Sequence, residues 1–201
     1  MSRDQDNLSA PYHTAAVPAV FPDWSPYRDL ETAARAYLRD PDLALEALSG
    51  VLQRTAGGPW GFTLERFVNE ANGVWQEVAV CDGDRLVLWH GEDVGSGGAG
   101  PATMTSSLRV IPLSSVCEVG YRRRLSRLPD GRVQVDSVDV YLLLSTLDES
   151  VPGTGRSEPA PFRHDALRFG KTLADGGPGQ IARVEEFARL VAARAGRPQP
   201  G

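Results

Sequence analysis

Val74-Trp-Gln-Glu-Val-Ala-Val80, followed by Cys81-Asp82-Gly83-Asp84 and then Arg85-Leu-Val-Leu-Trp-His90, is the stretch whose reading decides the fold. Two runs rich in β-branched and aromatic residues flank Asp82-Gly83, a dipeptide that tolerates positive φ. That spacing predicts two antiparallel strands and a tight hairpin. Just before it, Phe62, Leu64 and Val68 suit a strand face, while Leu64, Phe67, Val68 and Ala71 suit a helix; we read Phe62–Val68 as a strand.

Beyond the hairpin, Gly95-Ser-Gly-Gly-Ala-Gly-Pro101 predicts a loop, having neither side chains to pack nor a fixed backbone. Sheet resumes at Thr103, and Leu108, Val110 and Leu113 lead through Pro112 into a strand over 115–125. Pro129-Asp130-Gly131 then turns the chain back into 132–146, a long antiparallel hairpin. Residues 148–161, rich in Gly, Pro, Ser and Glu, predict a mobile loop before a last strand over 166–172.

Helices flank the strands. Ser25-Pro26 and Asp40-Pro41 each offer an N-cap acceptor followed by proline at the first helical position. They predict one helix over 26–39 and a second, with Leu45, Leu48, Val51 and Leu52 on one stripe, that ends over 55–58. Near the C-terminus, Ile181, Val184, Phe187, Ala188, Val191 and Ala195 form an apolar stripe behind Gly176-Gly177-Pro178, stopped by Gly196 and Pro198. Strands in a run with helices at the ends favour an α+β fold over a parallel sheet. We expect six or seven antiparallel strands in a curled sheet or small barrel, an N-terminal helical pair and a C-terminal capping helix. The expected divisions are a flexible arm over 1–24, the helical pair over 25–56, the sheet with its helix over 60–196, and a tail over 197–201. Phe21 and Trp24 are expected to pin the arm's end.

With 201 residues, a core that buries roughly 70% of the unfolded surface is available without staples. Cys81 and Cys117 sit in apolar segments and read as buried reduced thiols. No stretch reads as a secretory signal or spans a bilayer, so a cytoplasmic, soluble protein is expected. A net charge of −5 argues against a general nucleic-acid binder.

Arg109-Val-Ile-Pro-Leu-Ser-Ser-Val-Cys-Glu-Val119 resembles the transition found in pleckstrin-homology-like and GRAM-like domains, in which an apolar strand meets Pro-Leu, a polar pair and a second apolar strand. More broadly, the element order from Leu30 to Ala195 resembles a family of uncharacterised proteins from high-GC Gram-positive bacteria. The resemblance implies a pleckstrin-like sheet closed by a C-terminal helix, and it implies no site. The helical pair before Gly61 and the long loop before Ala166 depart from a minimal domain of that kind.

Arg122, Arg123, Arg124 and Arg127, with Arg132 across the turn, are the candidate anion-binding residues, since guanidinium forks suit phosphate. Strand alternation places Arg123 on the face opposite Arg122 and Arg124, and a solvated hairpin tip is the competing explanation. Gly170-Lys171-Thr172 is not a phosphate loop, because Asp165 stands where a glycine is needed and the Ala174-Asp-Gly-Gly-Pro178 stretch forbids a helix immediately after the motif. Ser96 lacks a nucleophile elbow, since Val94 replaces its first glycine. Asp136 and Asp139 are expected on opposite faces, and Asp82 and Asp84 are expected to cap their turn. Trp60, Trp75 and Trp89 read as core, with an aromatic-lined peptide groove as the alternative.

These features point to a non-catalytic binding or adaptor module, with no cofactor or metal. Its expected partner is a protein, with anionic lipid or phosphate as the other ligand class. The alternatives are an enzyme assembled from His90, Asp93 and His164, His90 also standing beside Glu92 at a strand end, and a homo-oligomerising structural subunit.

Overall fold

The computed structural model describes residues 21–52, 61–69, 72–94, 103–145 and 164–196. The expected loops over 95–101 and 148–161, the tail, most of the arm, Trp60 and the end of the second helix lie outside the described residues. The element order is α1 (Leu30–Tyr37), α2 (Pro41–Ser49), β1 (Gly61–Val68), β2 (Val74–Asp82), β3 (Arg85–Val94), β4 (Thr103–Pro112), β5 (Val116–Arg127), β6 (Val133–Ser145), β7 (His164–Thr172) and α3 (Gly177–Ala192). The protein is therefore α+β, as expected, with seven antiparallel strands among the described residues.

They do not form one curled sheet. β1-β2-β3-β4 make one sheet and β5-β6-β7 a second, and no barrel closes among the described residues. The corner between the sheets is the segment singled out above: Pro112 ends β4, and a 3-10 turn over Leu113–Ser115 redirects the chain into β5. Leu113 is buried there, donating its N–H to the Asp84 carbonyl and accepting the Gly196 N–H. At the other seam a side chain stands in for a ladder, as Glu65 Oε1 of β1 accepts the Gly170 N–H of β7.

Alternation along β2 and β3 explains the layers. Ala79, Cys81, Leu86 and Leu88 face a core shared with Val138, Val140, Leu142 and Leu144 of β6 and with Ile181, Val184, Phe187 and Val191 of α3. Val78, Val80, Val87 and Trp89 face the other way, into a core with Trp24, Leu30, Ala33, Tyr37 and Leu48. The four-stranded sheet is thus covered on both sides. Trp24 is fully buried and Phe21 packs edge-on to Tyr37, which fixes the end of the arm.

The first helix starts four residues later than its sequence suggests. Asp29, not Ser25, is the N-cap, its carboxylate accepting the Thr32 N–H. Ser25-Pro26 lies instead in a turn held by Asp23 Oδ1 and by a Tyr27 N–H bond to the Trp24 carbonyl. Pro41 does open α2, but the Asp40 carboxylate turns to Arg39 and makes no cap. The β2–β3 turn places Gly83 at φ 66°, as a two-residue hairpin requires. Cys81 is buried, whereas Cys117 is exposed beside a bulge in β5; both are free thiols. Asp82 is buried and paired with Arg85. No helix among the described residues is long and apolar enough to cross a membrane.

Arg39 ties the helical pair to the sheet. Its guanidinium makes two bonds of 2.6 and 2.5 Å to the Asp93 carboxylate, which also accepts the Val74 N–H. These bonds hold the Asp93 carboxyl down to about 2, below its ordinary 3.8. The stabilisation is present above the ordinary value and is lost as pH falls toward 2. Asp93→Asn should cost about 2 kcal/mol in urea denaturation at neutral pH and should remove part of the acid-induced loss.

Candidate functional site

β5 and β6 extend as a hairpin whose turn is closed by Leu128 and Gly131, with Gly131 at φ 83°. The register sets Arg122 opposite Asp139 and Arg124 opposite Ser137, on the exposed outer face of the three-stranded sheet. Arg122 reaches Asp139 at 3.5 Å, and Arg127 bonds the Gly131 carbonyl at 3.2 Å. Arg123 turns to the other face, where its Nε and Nη2 bond Glu185 of α3 at 2.6 and 2.7 Å. The structure therefore keeps Arg122, Arg124 and Arg127 at the surface and commits Arg123 to holding the helix. Arg132 pairs with Asp130 at the tip.

Exposed apolar residues lie on the opposite, Arg123 side of the same strand, where Tyr121 and Leu125 stand opposite Val140 and Val135; Leu125 and Val133 near the tip are exposed by 56% and 58%. Among the described residues β5 pairs only with β6, so its far edge is open. Irregularities at Val116/Glu118 and Arg124/Leu125 break the register. An interrupted, arginine-bearing edge resists simple strand addition. It can instead offer guanidiniums and apolar side chains to a surface of complementary charge. Asp136 bonds Ser126 and Gln134, whereas Asp139 faces Arg122, so these two carboxylates serve different partners.

Inside the fold, ionisable groups line up where the sequence reading saw nothing. Glu65, Glu77, His90 and Ser107 are cross-strand neighbours in one row over β1 to β4. Burial pushes both carboxyls up to about 7, opposed by Lys171 at Glu65 and by Arg109 at Glu77. The His90 ring lies 5.3 Å from that of Trp75. Lys171, the chain's one lysine, is 2% exposed on β7 and donates to the Tyr37 hydroxyl at 2.9 Å. Burial lowers its pKa, and burial followed by the charges of Asp175 and Glu65 raises that of Tyr37. Glu65 and Glu77 are thus the members of the row whose charge changes near neutrality.

The structure separates His90 from Asp93. Asp93 is engaged by Arg39 and Val74 on the helical-pair side, while His90 shares the opposite face with Leu88. His164 opens β7 opposite Ser145, and its side chain lies outside the described ones. No group of three or more His, Cys, Asp or Glu residues able to hold a metal occurs among the described residues. Trp89 is core and Trp75 half-buried. Glu65 and Glu77 were legible in principle: once β1 and β2 are paired through the strand reading, both occupy inward positions of the pleat.

Comparison with known protein families, with characterised proteins and with solved structures gives no match for this chain. Its class is set by architecture alone, an α+β protein of two packed antiparallel sheets.

Because Glu65 and Glu77 bind protons more tightly folded than unfolded, the folded state holds more protons between the ordinary 4.5 and about 7, and stability declines as pH rises through that window. Glu77→Gln should be more stable than wild type by about 1–3 kcal/mol at about pH 8 and nearly equal to it at about pH 4 in urea denaturation. The Lys171 amine should acylate at least about 100-fold more slowly in the folded protein than in urea, read by peptide mass spectrometry, if only local or global opening exposes it.

Proposed function

We propose that this chain is a non-catalytic binding module of pleckstrin-like architecture, which docks an acidic surface of a partner protein on the β5–β6 hairpin. The carrying observation is the exposure of Arg122, Arg124 and Arg127 on one edge strand, with Tyr121 and Leu125 exposed on the face of that strand opposite Arg122 and Arg124, in a chain whose net charge is −5. Arginine and tyrosine are the residue types that anchor protein interfaces, and an arginine patch on an acidic molecule sets orientation as well as affinity. The Arg122–Asp139 pair is exposed, so it is weak and readily exchanged for a partner's carboxylate.

The pleckstrin-like reading draws support from the division into four and three strands, the 3-10 corner at Leu113 and the helix that packs between the sheets. The helical pair is then an addition that covers the outer face of the four-stranded sheet.

In affinity capture from a native lysate, wild type should enrich partners that the double variant Arg122→Glu/Arg124→Glu loses. Both changes are on an exposed face, so stability should stay within about 0.5 kcal/mol. Capture of the same proteins by the variant would contradict the proposal. Flotation with anionic vesicles, dependent on the same arginines, would transfer the hairpin's role from a protein to a lipid surface.

A further inference from the structure

Two carboxylates near the middle of α3 serve four guanidiniums. Glu185 meets Arg123 and Arg189, and Glu186 meets Arg28 and Arg183. Two positive charges are left over. Three of these arginines, Arg28, Arg183 and Arg189, together with the Glu186 carboxylate, line a cavity of about 460 Å³ between the start of β1 and α3, whose apolar wall is Phe62, Phe187 and Leu190. Gly61 keeps that approach close: a Cβ there would stand 2.6 Å from Leu190 Cδ2.

Arg183 is the unusual member. It is 9% exposed, and its guanidinium lies 5.0 Å from the Phe62 ring centre and 5.6 Å from that of Trp24. Its Nε is buried with no partner among the described residues, and its nearest paired carboxylate, Glu186, is exposed at 3.8 Å and shared with Arg28. Burial, then repulsion from Arg28, lowers its pKa. A desolvated guanidinium with an unused donor gains most from an anion that enters the cavity.

We propose that this cavity binds a phosphate monoester carried on an apolar group. The dianionic head sits among Arg28, Arg183 and Arg189, matching the two surplus charges, and the apolar body lies against Phe62, Phe187 and Leu190. The cavity's volume falls within the range of small-molecule sites, roughly 300–1,000 Å³, and its mixed apolar and guanidinium lining suits an amphiphilic anion. The site uses none of the exposed hairpin arginines, so it stands or falls apart from the docking surface.

The test is a titration of the full chain, read at the Trp24 indole N–H by NMR and assigned with Trp24→Phe, using phenyl phosphate, inorganic phosphate, benzoate and phenol as probes. Phenyl phosphate should bind most tightly, inorganic phosphate and benzoate more weakly, and phenol should leave the signal unmoved. Arg28→Ala/Arg189→Ala removes two largely exposed side chains, so the fold should persist while phenyl phosphate affinity falls by at least about tenfold. Arg183→Met should abolish the response, and the double variant decides the matter if that protein does not fold. Absence of a phenyl phosphate response, equal binding by the double variant, or binding of benzoate or phenol as tight as that of phenyl phosphate would overturn the proposal.

Discussion

β2 and β3 carry apolar side chains on both faces, and every other layer of the molecule answers to that. Antiparallel sheets commonly leave one face to water. Here Val78, Val80, Val87 and Trp89 would be as costly to expose as Ala79, Cys81, Leu86 and Leu88. One face is covered by the three-stranded sheet and α3, the other by α1, α2 and Trp24. The helical pair is therefore part of the fold, and the Arg39–Asp93 bond pins it where β2 and β3 run past its junction. The three-stranded sheet has no such requirement. Its outer face carries Glu118, Arg122, Arg124 and Asp139 and stays in water.

Two packed sheets leave seams, and polar chemistry collects there. Where β1 and β7 fail to pair, Glu65 supplies an acceptor to Gly170, and Lys171 and Tyr37 bond each other. Buried charge of this kind costs desolvation and returns specificity at best, so the seam is a weak contributor to stability and a sensitive one to pH. The surface chemistry is different in kind. On the hairpin, guanidiniums are exposed and exchangeable, whereas in the cavity beside α3 one of them is desolvated and short of partners.

Local periodicity made the β2–β3 hairpin, the β5–β6 hairpin and the α3 stripe legible, because each depends on neighbours in the chain, whereas over Phe62–Val68 it fitted strand and helix alike. The passage through Pro112 from one strand to the next was legible from the apolar residues on either side of it. Division into two sheets was not, since whether β1 pairs with β7 depends on contacts more than 100 residues apart, such as Glu65 with Gly170. Ser25-Pro26 carries the residue pair of a helix start, yet the structure puts it in a turn after the buried Trp24 and caps the helix at Asp29. Alternation correctly sent Arg123 away from Arg122 and Arg124, but its partner Glu185 lies on a helix whose placement no local signal reveals. Lys171 looked like a failed phosphate motif, and its burial became visible only once α1 was packed over the seam. Cys117 sits in an apolar stretch yet is exposed, because the bulge beside it breaks the alternation.

Native-state hydrogen exchange tests the two-sided sheet most directly. If α1 and the sheet form one cooperative unit, the amides of Ala33 and Leu38, bonded to the Asp29 and Ala34 carbonyls, should exchange only through the same global opening as those of β2 and β3. Exchange of the α1 amides at a much lower free energy, with β2 and β3 still protected, would contradict it.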